Sequence, residues 1–161
     1  MISANDEPSR PGRIFALRLG GDGGSQRAPR RDRPTGEDAE PGERCVLVVE
    51  DESDALDSIV ELLDGEGYHA VGAHNGQEAL DALRSGLHPR LILLDLKMPV
   101  MDGWDFCAVL AADREFAEIP IAIVTASASL PTLPARRHDA GFFVKPINFE
   151  RLLRTVRQIC G

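Results

Sequence analysis

The sequence has few aromatic residues, few cysteines and no long apolar run. It contains one Trp and one Tyr, and its three cysteines are Cys45, Cys107 and Cys160. Because they are odd in number and far apart, they form neither a metal-spaced pair nor a disulfide framework, and we expect free thiols. No apolar run approaches the roughly twenty residues of a membrane-spanning helix, and the N terminus lacks a signal peptide's apolar stretch. We therefore predict a cytoplasmic protein without membrane insertion.

The first 44 residues lack valine and are rich in glycine and proline. They hold seven Gly and five Pro, and their eight Arg balance eight Asp and Glu. A segment with so little to bury is predicted to be a disordered leader or tether over residues 1–44, ahead of a domain at 45–161. A start codon placed too early, with the domain beginning near Glu43, is an alternative explanation of the same composition.

Residues 45–161 contain many more acidic than basic residues. Subtracting the eight basic and eight acidic residues of the leader from totals of 18 and 26 leaves 10 and 18, so this part carries the whole net charge of −8. Such a negative field disfavours nucleic acid and anionic membranes as partners. We therefore expect no direct DNA binding.

From residue 45 onward, apolar runs of strand length alternate with segments of helical periodicity. Strands are predicted at CVLVV (45–49), YHAVGAH (68–74), LILLD (91–95), IPIAIVTA (119–126) and GFFVK (141–145). Helices are predicted over residues 53–67, 75–86, 104–116 and 148–161. This alternation is typical of an α/β fold with a parallel sheet.

Two details of the helices are predicted from local chemistry. Ser53 is a candidate N-cap of the first helix. In the last helix, the spacing predicts an inward stripe of Phe149, Leu152, Leu153 and Val156.

The connection between the fourth and fifth strands is irregular. Pro131 and Pro134 remove backbone donors and clash inside a helix. The segment 127–140 is therefore predicted to hold a loop and only a short or irregular fourth helix.

Polar residues follow the carboxyl ends of four predicted strands. They are Glu50, Asp51, Glu52, Asp95, Thr125 and Lys145. In an open parallel sheet, polar chemistry collects beyond this edge. Carboxylates placed together repel and raise each other's pKa, which a divalent cation such as Mg²⁺ relieves. A lysine and a hydroxyl opposite them would hold an anion with several oxygens, of which phosphoryl is the obvious one. For Glu52, a favourable place in the first turn of a helix is a sufficient explanation.

Four motifs in this order resemble those of the response-regulator receiver domains of two-component signalling. They are VLVVEDE, LLDLKMPVMDG, IVTA and FFVKP, and the resemblance covers residues 45–161. It implies a flavodoxin-like, doubly wound five-stranded parallel sheet in the order 2-1-3-4-5, with about five helices of which the fourth is short or irregular.

The resemblance also implies a role for each matching residue. Asp95 would accept a phosphoryl group from a kinase phosphohistidine. Mg²⁺ would be held by Glu50, Asp51, Asp95 and the backbone carbonyl of Lys97. The phosphoryl-binding and switch residues would be Thr125, Ala126, Lys145 and Phe142. Pro146 would allow a cis peptide bond after Lys145.

The resulting prediction is a single-domain response regulator in a phosphorelay. Its partners would be a sensor histidine kinase or phosphotransfer protein and an unknown downstream protein, and its output would be altered docking. It would not be an enzyme, apart from taking part in its own phosphoryl transfer and dephosphorylation. A phosphorylation-independent docking module with the same fold is the alternative. A phosphohydrolase is a third hypothesis, but it needs a second acid two residues after Asp95, where Lys97 stands.

Overall fold

The computed structural model describes residues 44–126 and 139–161, and these form one parallel sheet with helices on both faces. The strands are β1 Cys45–Val49, β2 His69–Ala73, β3 Leu91–Asp95, β4 Ile121–Thr125 and β5 Asp139–Val144. The helices are α1 Ser53–Gly65, α2 Gly76–Arg84, α3 Gly103–Ala112 and α4 Phe149–Cys160. All neighbouring strands are parallel and their order is β2-β1-β3-β4-β5, which confirms the predicted fold class. The predicted leader (1–44) and the predicted irregular connection (127–140) lie almost wholly outside the described residues, which omit 1–43 and 127–138.

The central strands read as continuous apolar runs because both faces of the sheet are covered. All five residues of β1, β3 and β4 are buried. Alternate residues point to opposite faces, so Leu47 and Ile92 pack with Phe106 of α3, whereas Val46 and Leu93 pack on the other face. Two apolar clusters therefore hold the sheet in place. None of the helices in the described ranges is long and apolar enough to cross a bilayer.

The N-termini of the helices are capped by side chains in three of the four described cases. Asn75, Asp102 and Asn148 each accept a hydrogen bond of 2.9 Å from the backbone N–H three residues later. The prediction that Ser53 caps α1 is wrong. Ser53 is already helical, and Glu52 holds the cap position without a side-chain bond. The backbone N–H of Glu52 instead donates to the Glu50 carboxylate, at 3.3 Å.

Two further expectations about helices need correction. Helix α3 ends at Ala112 rather than Phe116, because the Asp113 carboxylate accepts the Glu115 N–H at 2.9 Å and draws the chain into a turn. Phe149 was expected in the core stripe of α4, but it is 44% exposed. It is the first residue of the helix, whereas the core contacts are made by residues further along, Leu152 and Val156 among them.

The register of the sheet brings the strand ends to one level. Val49 pairs with Leu94, so Glu50 follows β1 at the level of Asp95. Asp95 in turn pairs with Val124, and Thr125 pairs with Val144. The polar residues after β1, β3, β4 and β5 therefore meet at one edge.

Candidate functional site

Three acidic side chains meet where β1 and β3 end. Glu50, Asp51 and Asp95 each offer a carboxylate oxygen, and these oxygens lie within 4.8 Å of one another. Glu50 and Asp95 are only 2% and 6% exposed, whereas Asp51 is exposed to solvent. Two of the three negative charges are therefore largely withdrawn from water, which is unfavourable unless positive charge compensates them.

Lys145 supplies that compensation from the end of β5. Its Nζ lies 2.6 Å from Glu50 Oε2 and 3.1 Å from Asp95 Oδ2. Burial raises the pKa of Glu50, while the hydrogen bond from Lys145 acts against this shift. Burial alone would lower the pKa of Lys145, but its contacts with Glu50 and Asp95 outweigh it and raise that pKa. The lysine thus stays charged between two acids.

Backbone donors fix the two buried carboxylates. The Lys97 N–H donates to Asp95 Oδ1 at 3.1 Å, and the Glu52 N–H donates to Glu50 Oε1 at 3.3 Å. In both cases the donor lies two residues after the acid, so the turn that follows the strand also orients the side chain of the acid. Asp95 Oδ1 is held by the backbone and Oδ2 by Lys145, which leaves the carboxylate in one defined orientation.

The β4 and β5 ends complete the site. The Lys145 N–H donates to the Thr125 carbonyl at 2.8 Å, and Thr125 is buried at the same edge as Asp95. The Lys145–Pro146 peptide is cis, as the resemblance implied. Ala126 is exposed directly after Thr125, and Phe142 is half-buried against one apolar cluster. The switch roles of these residues stay predictions.

Two glycines allow close packing around the loop that follows Asp95. A Cβ on Gly103 would lie 2.7 Å from both the Asp95 carbonyl oxygen and the Leu96 Cα, so the first turn of α3 packs directly on the end of β3. Gly76 was missed entirely. Its N–H donates to the Met101 carbonyl at 3.1 Å, and a Cβ there would lie 2.8 Å from Met101 Cγ. The Asn-Gly pair that begins α2 was the signal available in the sequence.

The donor set fits a hard divalent cation. The three carboxylates offer only oxygen, and no sulfur or imidazole belongs to the group. Oxygen donors in this number are typical of Mg²⁺, which keeps several of its waters. Because two buried acids share one half-buried lysine, the site retains negative charge that such an ion would neutralise.

Comparison with known proteins gives a consistent result. The family model described as "Response regulator receiver domain" matches residues 46–157, which is well over half of the chain. The chain belongs to this family. Membership places the receiver in two-component signalling and makes a histidine kinase or phosphotransfer protein its expected type of partner.

Relatives that the match covers almost in full support this assignment. The polar-differentiation response regulator DivK of Brucella ovis is 31% identical over 120 residues, covering 73% of this chain and 97% of the relative. The chemotaxis response regulator CheY4 of Vibrio cholerae is 29% identical, with a TM-score of 0.60, over 71% of this chain and 97% of the other. The response regulator TrrA of Thermotoga maritima, solved in complex with Mg(2+)-BeF, is 28% identical, with a TM-score of 0.63, over 72% of this chain and 98% of the other.

Proposed function

We propose that this receiver is a single-domain response regulator that accepts a phosphoryl group on Asp95. The donor would be a phosphohistidine of a sensor histidine kinase or phosphotransfer protein in a cytoplasmic phosphorelay. The observation that carries the proposal is the position of Asp95 beside Asp51, Glu50 and Lys145 at one sheet edge. A TrrA structure that contains Mg(2+)-BeF supports the same chemistry in a relative.

The proposed reaction transfers one phosphoryl group between two proteins. An oxygen of the Asp95 carboxylate forms a bond to phosphorus while the bond between phosphorus and the donor's imidazole nitrogen breaks, and that nitrogen then takes up a proton. The products are an acyl phosphate on Asp95 and a free histidine. Because the transition state is loose, in-line positioning and charge neutralisation contribute more than covalent chemistry.

Each polar residue of the site has a part in this reaction. Asp51, Asp95, Glu50 and the backbone carbonyl of Lys97 would hold Mg²⁺, which when bound neutralises charge on the phosphoryl oxygens. Lys145 would release one of its two acids and bind a phosphoryl oxygen. The Thr125 hydroxyl and the Ala126 backbone would bind another. The Lys97 N–H keeps the acceptor carboxylate oriented.

The proposed output is a change in docking to another protein. Movement of Thr125 toward the phosphoryl group would let Phe142, which is only half-buried, turn inward. Val144 and Phe149 are 40% and 44% exposed, and their surroundings would change when Phe142 turns. The receiver would act on no other substrate, so it would not be an enzyme in the usual sense, and it would not bind DNA directly.

Phosphorylation by acetyl phosphate tests the proposal. Wild-type protein incubated with acetyl phosphate and Mg²⁺ is expected to gain the mass of one phosphoryl group, and chelation of Mg²⁺ is expected to prevent the gain. Asp95→Asn is expected to abolish it. Asp105→Asn, which changes an exposed aspartate of α3, serves as the matched control and is expected to be phosphorylated as the wild type.

Two results would count against this function. Absence of a mass gain in the wild-type protein, or an equal gain in Asp95→Asn, would exclude Asp95 as the acceptor. A partner pull-down that is unchanged by Asp95→Asn and by phosphorylation would instead support the phosphorylation-independent docking module.

A further inference from the structure

The outer side of α4 carries an unusual amount of positive charge for this receiver. Arg151, Arg154 and Arg157 are all exposed, and they are three of only ten basic residues in the part of the chain with a net charge of −8. A spacing of three residues makes them successive neighbours on the surface of the helix. We call these three residues the arginine stripe. The opposite side of α4 packs into the core.

Two of the three guanidinium groups in the arginine stripe have a partner in the described part of the fold. Arg157 Nη2 lies 2.7 Å from Glu66 Oε2, in a pair whose side chains are 56% and 36% exposed. The Arg151 guanidinium lies over the Phe143 ring, 5.0 Å from its centroid. Among the side chains described in 44–126 and 140–161, no acid forms a salt bridge with Arg154. The stripe therefore has capacity for another acidic partner.

The leader joins the fold close to this stripe. The Arg44 carbonyl accepts the His69 N–H at 2.9 Å, at the start of β2. Tyr68, the preceding residue, packs in the same apolar cluster as Cys160 at the end of α4. Burial raises the pKa of Tyr68, and the charges of both Arg157 and Arg44 act in the opposite direction, as expected if both lie near its ring. The chain before Arg44 thus begins beside the C-terminal end of α4.

The part of the leader nearest the fold is acidic. Residues 37–43, EDAEPGE, contain four acids and no Lys or Arg; we call them the acidic segment. Along α4, Arg151 and Arg157 are separated by a rise of about 9 Å. A random coil of eight residues has a root-mean-square span of about 16 Å. The sequence pair Pro41-Gly42 is typical of turns. The acidic segment is therefore long enough to reverse and reach all three arginines.

We propose that the acidic segment of the leader binds the arginine stripe of α4 in the same molecule. Exposed ion pairs are individually weak, but a short tether gives the segment an effective concentration in the millimolar range, which makes weak pairing sufficient. The bound segment covers the outer side of α4. A partner that needs this side must displace the segment, whatever the phosphorylation state of Asp95.

A spin label on the full chain tests the contact. The three native cysteines are buried, so a label added to Ala39→Cys reacts at position 39. In isotope-labelled protein, the amide signals of residues 151–158 are expected to broaden. Arg154→Glu and 0.5 M salt are each expected to reduce this broadening by about threefold, the size expected for loss of an exposed ion pair. Arg154 is exposed, so its replacement leaves the core intact.

The leader supplies a matched control because its eight acids divide into two sets of four. Neutralising Glu37, Asp38, Glu40 and Glu43 is expected to release the segment. Neutralising Asp6, Glu7, Asp22 and Asp32 changes the net charge equally and is expected to leave the broadening unchanged. Equal effects of the two sets would overturn the proposal. So would broadening that stays near residue 44 only, or that arises only between differently labelled molecules, since the latter shows a second copy on α4. Asp95→Asn is expected to give the wild-type pattern, which separates this result from the test of phosphorylation.

Discussion

The two edges of the sheet handle buried ionisable groups in opposite ways. At the carboxyl edge, Glu50 and Asp95 are buried around the charged Lys145. At the amino edge, Cys45 and Cys160 are buried without a salt bridge in the described part of the chain, and burial raises both pKa values, that of Cys45 to about 11. One edge holds charges by pairing them, while the other keeps its groups neutral. The carboxyl edge is therefore the one whose acidic oxygens could hold a metal ion.

The edges also differ in their backbone. At the amino edge, the left-handed positions in the turns before β2 and β3 are filled by Gly67 and Gly86, with φ of 88° and 99° and open space around both. At the carboxyl edge, the left-handed position is held by Val100, with φ of 69°. Gly103, which begins α3 directly after the loop that holds Val100, has no room for a Cβ. The functional edge is thus the crowded and strained one, as is common at sites where function constrains the chain.

Of the changes considered, replacement of Lys145 at the carboxyl edge is expected to lower the free energy of unfolding most. Lys145→Met leaves Glu50 and Asp95 buried without their cation, and we expect the free energy of unfolding to fall by about 2–4 kcal/mol, in keeping with broken buried ion pairs. Urea unfolding near neutral pH without Mg²⁺ measures this loss. Lys97→Met is the control, because only the backbone of Lys97 contacts Asp95 and its side chain is exposed. Equal stability of the two variants would mean that the lysine does not compensate the acids.

A methyl group is expected to lower stability when it is added at the carboxyl edge and to raise stability when it is added at the amino edge. Gly103→Ala places a Cβ 2.7 Å from the backbone of β3 and should destabilise the protein by about 1–3 kcal/mol. Gly65→Ala, at the end of α1, meets nothing within 4 Å and should stabilise it by about 0.4–1 kcal/mol. Thermal unfolding of both variants gives the comparison. A destabilised Gly65→Ala, or an unaffected Gly103→Ala, would contradict the packing described above.

The neutral amino edge predicts a dependence of stability on alkaline pH. Burial raises the pKa of Cys45 to about 11 in the folded protein, above the ordinary thiol value of 9.0, so the thiol ionises more easily in the unfolded chain. Its contribution is therefore complete below pH 9 and is lost as the pH rises from about 9 to 11. Cys45→Ala should reduce the fall in unfolding free energy over this interval by an amount on the order of 1 kcal/mol. Parallel curves for the wild type and the variant would contradict the prediction.

The parallel sheet and the site at its carboxyl edge could both be predicted from the sequence, and the physical reasons are clear. Strands buried on both faces need uninterrupted apolar runs, so LILLD and IAIVT are recognisable without any structure. Parallel strands end at a common edge, so Asp95 and Lys145 could be expected together although fifty residues separate them. Strand order came from the family resemblance, because no local pattern determines it.

What the sequence did not predict depends on contacts between distant segments or on small local energies. The crowding of Gly103 against β3 and of Gly76 against Met101 arises only when two parts of the chain pack, so neither glycine's spacing indicates it. The early end of α3 depends on one hydrogen bond of Asp113. Phe149 satisfies the helical spacing of the core residues, yet it is the first residue of the helix and stays 44% exposed.

The strained residue of the functional edge offers the smallest and most specific test. Val100 is 84% exposed and β-branched, and a left-handed conformation costs such a residue about 1–2 kcal/mol. Val100→Gly removes this cost but adds about 0.5–1 kcal/mol of backbone entropy to the unfolded state, so a net gain of about 0.5 kcal/mol is expected. Val100→Ala keeps a Cβ in the left-handed region and should change stability less. If the denaturant midpoint of Val100→Gly is no higher than that of Val100→Ala, the backbone at residue 100 holds no strain. The two edges of the sheet would then differ only in how their buried ionisable side chains are treated, and no longer in backbone strain.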